Sequence, residues 1–266
     1  SDENSFEKID FPDFGCIVVG ITGFGSVNYD GFSEQDFFKV FDLIKRFYSI
    51  DEDRVYITGF SMGGKGALYY LTHYPDFFAA GALLCPHYDS FRYLTNELIS
   101  QITEEQKKLI EIYRYYNYLE NLKDIPLYIF HGMEDRQVPV ENSRTLINDL
   151  NALGYKKVFI EYSGVSHNIW DLAYKNQFAL NLLMGHKRKR SLDFVFSSSD
   201  LNYNKYFYIQ LLKEKKNRTL MKVKTHKNHD ELHVNTKNVH VLKILQEELT
   251  NNGITSIYVN GEKIQD

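Results

Sequence analysis

The sequence predicts an α/β fold built on a parallel sheet, followed by a small all-β unit. Three observations carry this prediction. Short apolar runs alternate with segments of helical period as far as residue 184. Beyond that point the helical period vanishes, and short alternating runs separated by Asn-, Lys- and Asp-rich turns take over. Formal charge changes sign at the same place: 15 basic residues face 9 acidic ones from Lys187 onward, a net of +6, whereas the first 186 residues carry −10.

The elements follow in order. Residues 16–20 (Cys-Ile-Val-Val-Gly) are a continuous apolar run ending in glycine, as expected of a strand buried on both faces. A glycine-rich loop spans 20–31, and apolar residues at mixed three- and four-residue spacing predict a helix over 37–47. Residues 55–59 form a second strand, 62–73 a helix closed by Pro75, and 78–84, 127–130 and 158–162 three further strands. Helices over 141–153 and 170–184 fill the gaps. An insertion at 87–124 reads as two helices, 91–102 and 104–122, serving either as a packing pair or as a partial lid. Runs at 192–197, 205–212, 220–225, 231–235, 239–245 and 256–259 make the β unit, punctuated by Asn251-Asn252-Gly253 and Asn260-Gly261. The expected units are a catalytic domain over 1–186 and a small β-sandwich-like domain over 191–266, joined by a solvated basic linker at His186–Arg190.

Composition narrows the function classes. Apolar residues make up 43% and charged residues 25% of 266, the balance of a globular protein rather than a disordered, collagenous or disulfide-stapled chain. No apolar run approaches the length of a membrane span, and Ser1 to Asp10 is too acidic for a signal peptide; localisation stays open. The charge balance falls short of a dedicated nucleic-acid binder, so no nucleic-acid partner is expected. Cys16 and Cys85 lie in apolar runs and read as buried free thiols.

The strongest chemical signal is Gly59-Phe60-Ser61-Met62-Gly63-Gly64, which follows a strand and opens a helix. Such a corner must be tight, so a Cβ two residues before or after the serine is expected to collide with its neighbours. It lifts the Ser61 hydroxyl clear of the backbone, with the Met62 N–H and the helix terminus, including Gly63, facing a developing oxyanion. A hydroxyl nucleophile needs a base, and the base an orienting carboxylate. His131-Gly-Met-Glu-Asp135 directly follows a strand, and Asp135 rather than Glu134 is the expected acid. His167, in Gly164-Val-Ser-His-Asn168 after the last parallel strand, is the expected base. All parallel strands present their carboxyl ends on one rim, so Ser61, Asp135 and His167 should converge there. His131 competes as base, although its position at a strand end suits it better to bracing the Asp135 loop. His226, His229 and His233 have metal-like spacing but lack a fourth ligand, so neither metal nor cofactor is expected. The cluster Tyr113, Tyr115, Tyr116 and Tyr118 reads as packing rather than a substrate platform.

Residues 50–64, 74–80, 131–139 and 164–174 together resemble α/β-hydrolases of the prolyl oligopeptidase and esterase kind, close to bacterial serine peptidases and to polyhydroxybutyrate-depolymerase-like and feruloyl-type esterases. The resemblance implies Ser61 as nucleophile, Asp135 as acid, His167 as base, and a small ester or short peptide as substrate. The β unit bears a weaker resemblance, in residues 201–204 and 235–242, to one that follows the catalytic domain in some such peptidases. In this fold, strands are expected before residue 14, among them the one whose loop supplies a second oxyanion donor. An oligomer or a further N-terminal segment is the expected means of completing the sheet, with Thr22-Gly-Phe-Gly25 a weak substitute for the missing loop. A non-catalytic interaction module on a truncated hydrolase fold is the alternative function.

Overall fold

The computed structural model describes residues 16–21, 29, 32–88, 96–214 and 220–264. Four parallel strands form the first sheet: β1 (Tyr56–Phe60), β2 (Ala80–Leu84), β3 (Leu127–Gly132) and β4 (Val158–Tyr162), in spatial order β1-β2-β3-β4. Tyr56 pairs with Ala80, Gly81 with Leu127 and Tyr128 with Val158, so the carboxyl ends align along one rim. β2 is buried throughout, as a near-continuous apolar run demands of an inner parallel strand.

Side-chain alternation divides the core between the two faces of this sheet. Leu83, Leu127 and Ile129 pack with α1 (Phe32–Phe47) and α2 (Met62–His73). Ala80, Ala82, Leu84 and Phe130 pack with α6 (Trp170–Tyr174) and α7 (Phe178–Met184). α3 (Asn96–Gln101), α4 (Glu104–Tyr113) and α5 (Glu141–Ala152) complete the helices of this unit. The α4 start is a capping box, in which Thr103 and Gln106 satisfy each other's backbone N–H groups.

Several expectations need correction. Residues 16–21 are not a strand: no strand among the described residues pairs with them, and Ile17, Val18 and Val19 are 46%, 46% and 41% exposed. A short apolar run becomes a strand only where a neighbouring edge takes up its backbone groups, and periodicity cannot report that. Cys16 is accordingly exposed, not buried; Cys85 is buried. The helix expected over 170–184 is broken, because Asn176 and Gln177 adopt left-handed backbone at φ 49° and 63°. In the insertion, residues 115–122 are a 3₁₀ helix whose Tyr118, Leu119, Asn121 and Leu122 are buried against the core, so this half is packing. Tyr115 and Tyr118 are buried within it and Tyr116 is 51% exposed. Residues 89–95 lie outside the described ones.

The C-terminal unit holds two sheets. β5 (Val195–Ser198), β8 (Met221–Asn228), β9 (Glu231–Lys237), β11 (Ser256–Val259) and β12 (Glu262–Lys263) form one. β6 (Lys205–Tyr206), β7 (Ile209–Glu214) and β10 (Val239–Ile244) form the other, and a short α8 (Gln246–Thr250) follows β10. Phe194, Phe196, Tyr206, Tyr208, Met221 and Leu232 fill the space between them. Asn121 makes polar contacts at the junction with the first unit. Asn121 donates to the carbonyls of Thr72 and Ser197 at 2.7 and 2.8 Å and accepts from the Ser197 N–H at 2.7 Å.

The basic run is solvated at Lys187, Lys189 and Arg190 but is docked through Arg188. Arg188 donates to Asp53 Oδ1 from Nε and Nη2 at 3.1 and 2.8 Å and to the Asp76 carbonyl, and its N–H donates to the Asp53 carbonyl at 2.8 Å. The Tyr56 hydroxyl donates to the His186 carbonyl at 2.7 Å. Among the described residues no helix is long and apolar enough to cross a membrane.

Candidate active site

Ser61 occupies the corner between β1 and α2 with φ 56° and ψ −113°, a sparsely populated backbone conformation for a residue with a Cβ. The corner is held by the Ser61 N–H donating to the Leu84 carbonyl at 2.8 Å and by the Lys65 N–H donating to the Ser61 carbonyl at 3.0 Å. Gly59 is required by space: a Cβ there would stand 2.1 Å from the Gly63 carbonyl oxygen. The matching requirement falls one residue later than expected. A Cβ on Gly63 would meet only the Tyr29 hydroxyl at 3.9 Å, whereas one on Gly64 would approach the Leu84 carbonyl oxygen at 2.9 Å. α2 thus enters directly over the end of β2, and its first N–H groups, those of Met62 and Gly63, remain at the rim.

Asp135 and His167 come together at the ends of β3 and β4. Asp135 Oδ2 lies 2.6 Å from His167 Nδ1, and the side chains are 0% and 10% exposed. The other carboxylate oxygen accepts from the N–H groups of Gln137 and Val138, both at 2.9 Å. Burial by itself would raise Asp135. The hydrogen bonds from His167, the Val138 N–H and Cys85 outweigh it and hold the carboxyl below its ordinary range, so it is ionised. Glu134 is exposed and takes no part in this network.

His131 braces the Asp135 loop, and both of its ring nitrogens are taken up by hydrogen bonds. Its Nε2 lies 2.8 Å from the Val138 carbonyl oxygen and 3.2 Å from Asp135 Oδ2, which places the ring hydrogen on Nε2. Nδ1 then accepts from the Ser143 hydroxyl at 2.7 Å. Burial pulls the imidazole below its ordinary pKa and keeps it neutral. The loop bearing His167 presses against Gly132, where a Cβ would stand 2.1 Å from the Ser166 carbonyl oxygen.

His167 also lies beside the serine corner: its ring centroid is 4.7 Å from that of Phe60, the residue before Ser61. Among the described residues no hydrogen bond joins the Ser61 hydroxyl to His167. The glycine loop at 22–25 lies outside the described residues.

Five residues here escaped the sequence reading as site components. Cys85 follows β2 with φ 44°, and burial pushes its thiol up to about 12, so it stays protonated beside Asp135. Cys85, His131 and Asp135 bring ligating atoms within 4.8 Å of one another. However, Nε2 of His131 and both Asp135 oxygens already serve the hydrogen bonds above, and a cation there would have to displace His167. Tyr29 lays its ring against Gly66, and Lys65 and His87 border the same rim. Ser143 is the fifth, as partner of His131. A position just past a parallel strand was the only signal for Cys85 and His87. Of the remaining histidines, His226 and His233 face each other across β8 and β9, bound to Asp193 and Glu231, while His229 sits in the turn.

A parallel sheet with a strained serine corner, and an Asp–His pair on the same rim, defines an α/β-hydrolase. A family model described as the prolyl oligopeptidase family matches residues 25–183, more than half of the sequence. The chain belongs to that family, and the match supports a serine hydrolase. Among solved structures it is similar to a thermostable esterase, at 30% identity and TM-score 0.46 over 58% of this chain and 37% of that one. It is also similar to Porphyromonas gingivalis dipeptidyl peptidase 4, at 20% identity and TM-score 0.46 over 57% and 22% of the two chains. A puromycin-hydrolysing peptidase of Mycobacterium tuberculosis aligns at 21% identity and TM-score 0.41 over 49% and 21%. The chain therefore spans well under half the length of these proteins. No curated protein matches it.

Proposed function

We propose that this chain is a serine hydrolase that cleaves a carboxylic ester or a peptide through an acyl-enzyme on Ser61. The observation that carries the reading is the 2.6 Å bond from Asp135 Oδ2 to His167 Nδ1 on the rim that also bears the Ser61 corner. Asp135, held ionised, fixes the hydrogen on Nδ1 and leaves Nε2 of His167 as a base. Nε2 takes the Ser61 proton as Oγ adds to the acyl carbon. The tetrahedral oxyanion lies at the amino end of α2, where the Met62 N–H is the first donor and Gly63 lines the approach. His167 returns the proton to the leaving alcohol or amine, and water repeats the cycle to release the acid.

The test is covalent labelling by a fluorophosphonate together with turnover of an activated acyl ester. Ser61→Ala should abolish labelling, and Ser61→Ala and His167→Ala should each lower turnover by about 10³-fold or more. Asp135→Asn should be severe and Glu134→Gln mild. Near-normal turnover by His167→Ala would remove the assigned base, and the reverse carboxylate ranking would show that the wrong acid had been chosen.

A further inference from the structure

Two basic side chains at this rim have no partner among the described residues, and the proposed reaction does not use them. Lys65 is in the first turns of α2, four residues past Ser61, so it shares the serine's face of the helix. Side chains on a helix lean toward its amino end, which carries the Lys65 stem toward the Ser61 corner. His87 follows Pro86, and the Pro86 Cα lies 3.2 Å from the Cβ position of Gly64, so the β2 exit and the start of α2 are packed together. Burial comes first among the influences that pull His87 below its ordinary pKa, followed by the charges of Lys65 and His167, with Asp135 and His131 also within range.

Lys65 and His87 are both partly buried. Among the described residues, no carboxylate, carbonyl or ring accepts a hydrogen bond or ion pair from either side chain. The Lys65 stem is partly covered, and its ammonium is thereby left open to a partner from outside the described residues. The surrounding unit carries −10 over its first 186 residues, and Arg144 in it is paired with Glu161 at 2.7 Å. An ammonium near a nucleophile can take a carboxylate of the substrate as its partner. His87, neutral and able to donate one N–H, adds a directional hydrogen bond to the Lys65 charge.

We infer that Lys65 and His87 bind a carboxylate borne by the substrate a few atoms from its scissile carbonyl, so that the enzyme prefers acidic acyl compounds over neutral isosteres. This inference rests on the serine hydrolase reading and assigns it a substrate class. The carboxylate would sit on either side of the scissile bond. Two pairs of isosteres, each differing by one charge, separate the sides: the α-methyl esters of N-acetylglutamate and N-acetylglutamine for the acyl side, and 4-acetoxybenzoate and 4-acetoxybenzamide for the leaving group.

The measurement is the ratio of kcat/KM for the anionic over the neutral member of each pair. At low salt one pair should show a ratio of about ten or more, the size of one charge-assisted hydrogen bond. Raising the ionic strength should lower it in the wild-type protein. Lys65→Met should collapse the ratio toward one and Lys65→Arg should retain most of it, with circular dichroism confirming that both variants fold. A wild-type ratio at or below one in both pairs, or a ratio that Lys65→Met leaves unmoved, overturns the inference. If a fluorophosphonate labels Ser61 but neither pair is cleaved, the substrate class falls and the hydrolase reading stands. If Ser61 is not labelled and nothing is cleaved, both fall together.

Discussion

Gly132→Ala tests whether the His167 loop is positioned by close backbone contact. In the structure a Cβ at this site would lie 2.1 Å from the Ser166 carbonyl oxygen and 2.5 Å from that of Val165. Both oxygens belong to backbone, so no rotamer change can relieve the overlap. The loop must retreat by about 1 Å before ordinary van der Waals separation returns. The same loop is tied down by the Glu134 N–H, which donates to the Val165 carbonyl at 2.9 Å, and by the 2.6 Å bond from His167 to Asp135. A misplacement of about 1 Å in a catalytic group costs roughly 10²-fold in rate, and overpacking costs about 1–3 kcal/mol of stability. Gly132→Ala should therefore lower kcat/KM for an activated ester by about 10²-fold, with a modest fall in melting temperature. Gly164→Ala is the control in the same loop. It has φ 72° but nothing within 4 Å of its Cβ position, so it should lose about 1 kcal/mol of stability and little activity. Near-wild-type kcat/KM in folded Gly132→Ala would refute the argument that this contact sets the His167–Asp135 geometry.

Two further outcomes follow from the junction between the units. Burial lowers His73 from an ordinary 6.5 to about 4, and its ring packs on Tyr118 and Tyr203 at 4.6 and 4.8 Å. The unfolded chain thus binds the extra proton between pH 6.5 and 4 and the folded one does not. The contribution is full above pH 6.5 and falls by about 3 kcal/mol as pH drops to 4. Urea midpoints across this window should decline less steeply in His73→Phe than in the wild type, and identical slopes would discount the buried imidazole. The basic run should resist trypsin despite its sequence, because Arg188 is clamped to Asp53 and to the Asp76 carbonyl. Arg188→Ala should cost about 2 kcal/mol and open the run to cleavage; rapid cutting of the wild type at 187–190 would show that the clamp does not hold.

The class of fold, and the rim on which the proposed catalytic residues stand, can be read from the chain alone. The pattern at 59–64 requires a strand-to-helix corner because only glycine tolerates the 2.1 Å approach found at Gly59. Strands alternating with helices require parallel pairing, and parallel pairing brings the loops after β3 and β4 to the corner's rim. Asp135 and His167 were legible for that reason, with no knowledge of contacts. Matters that depend on what lies across a gap emerge only when the chain is folded. The apolar run at 16–20 looks like β2 in composition, yet no strand edge among the described residues takes it up, and it lies exposed. The basic run at 186–190 looks like a solvated linker, yet Asp53 and Asp76 from distant turns hold its Arg188. His131 became a brace because Ser143 and Val138 consume its two nitrogens. Lys65 and His87 are 22 positions apart in sequence and come near one another only where α2 packs on the exit of β2. Periodicity and local turn chemistry are properties of the chain alone, whereas burial, pairing and the sharing of one charge by two side chains arise when separate segments meet.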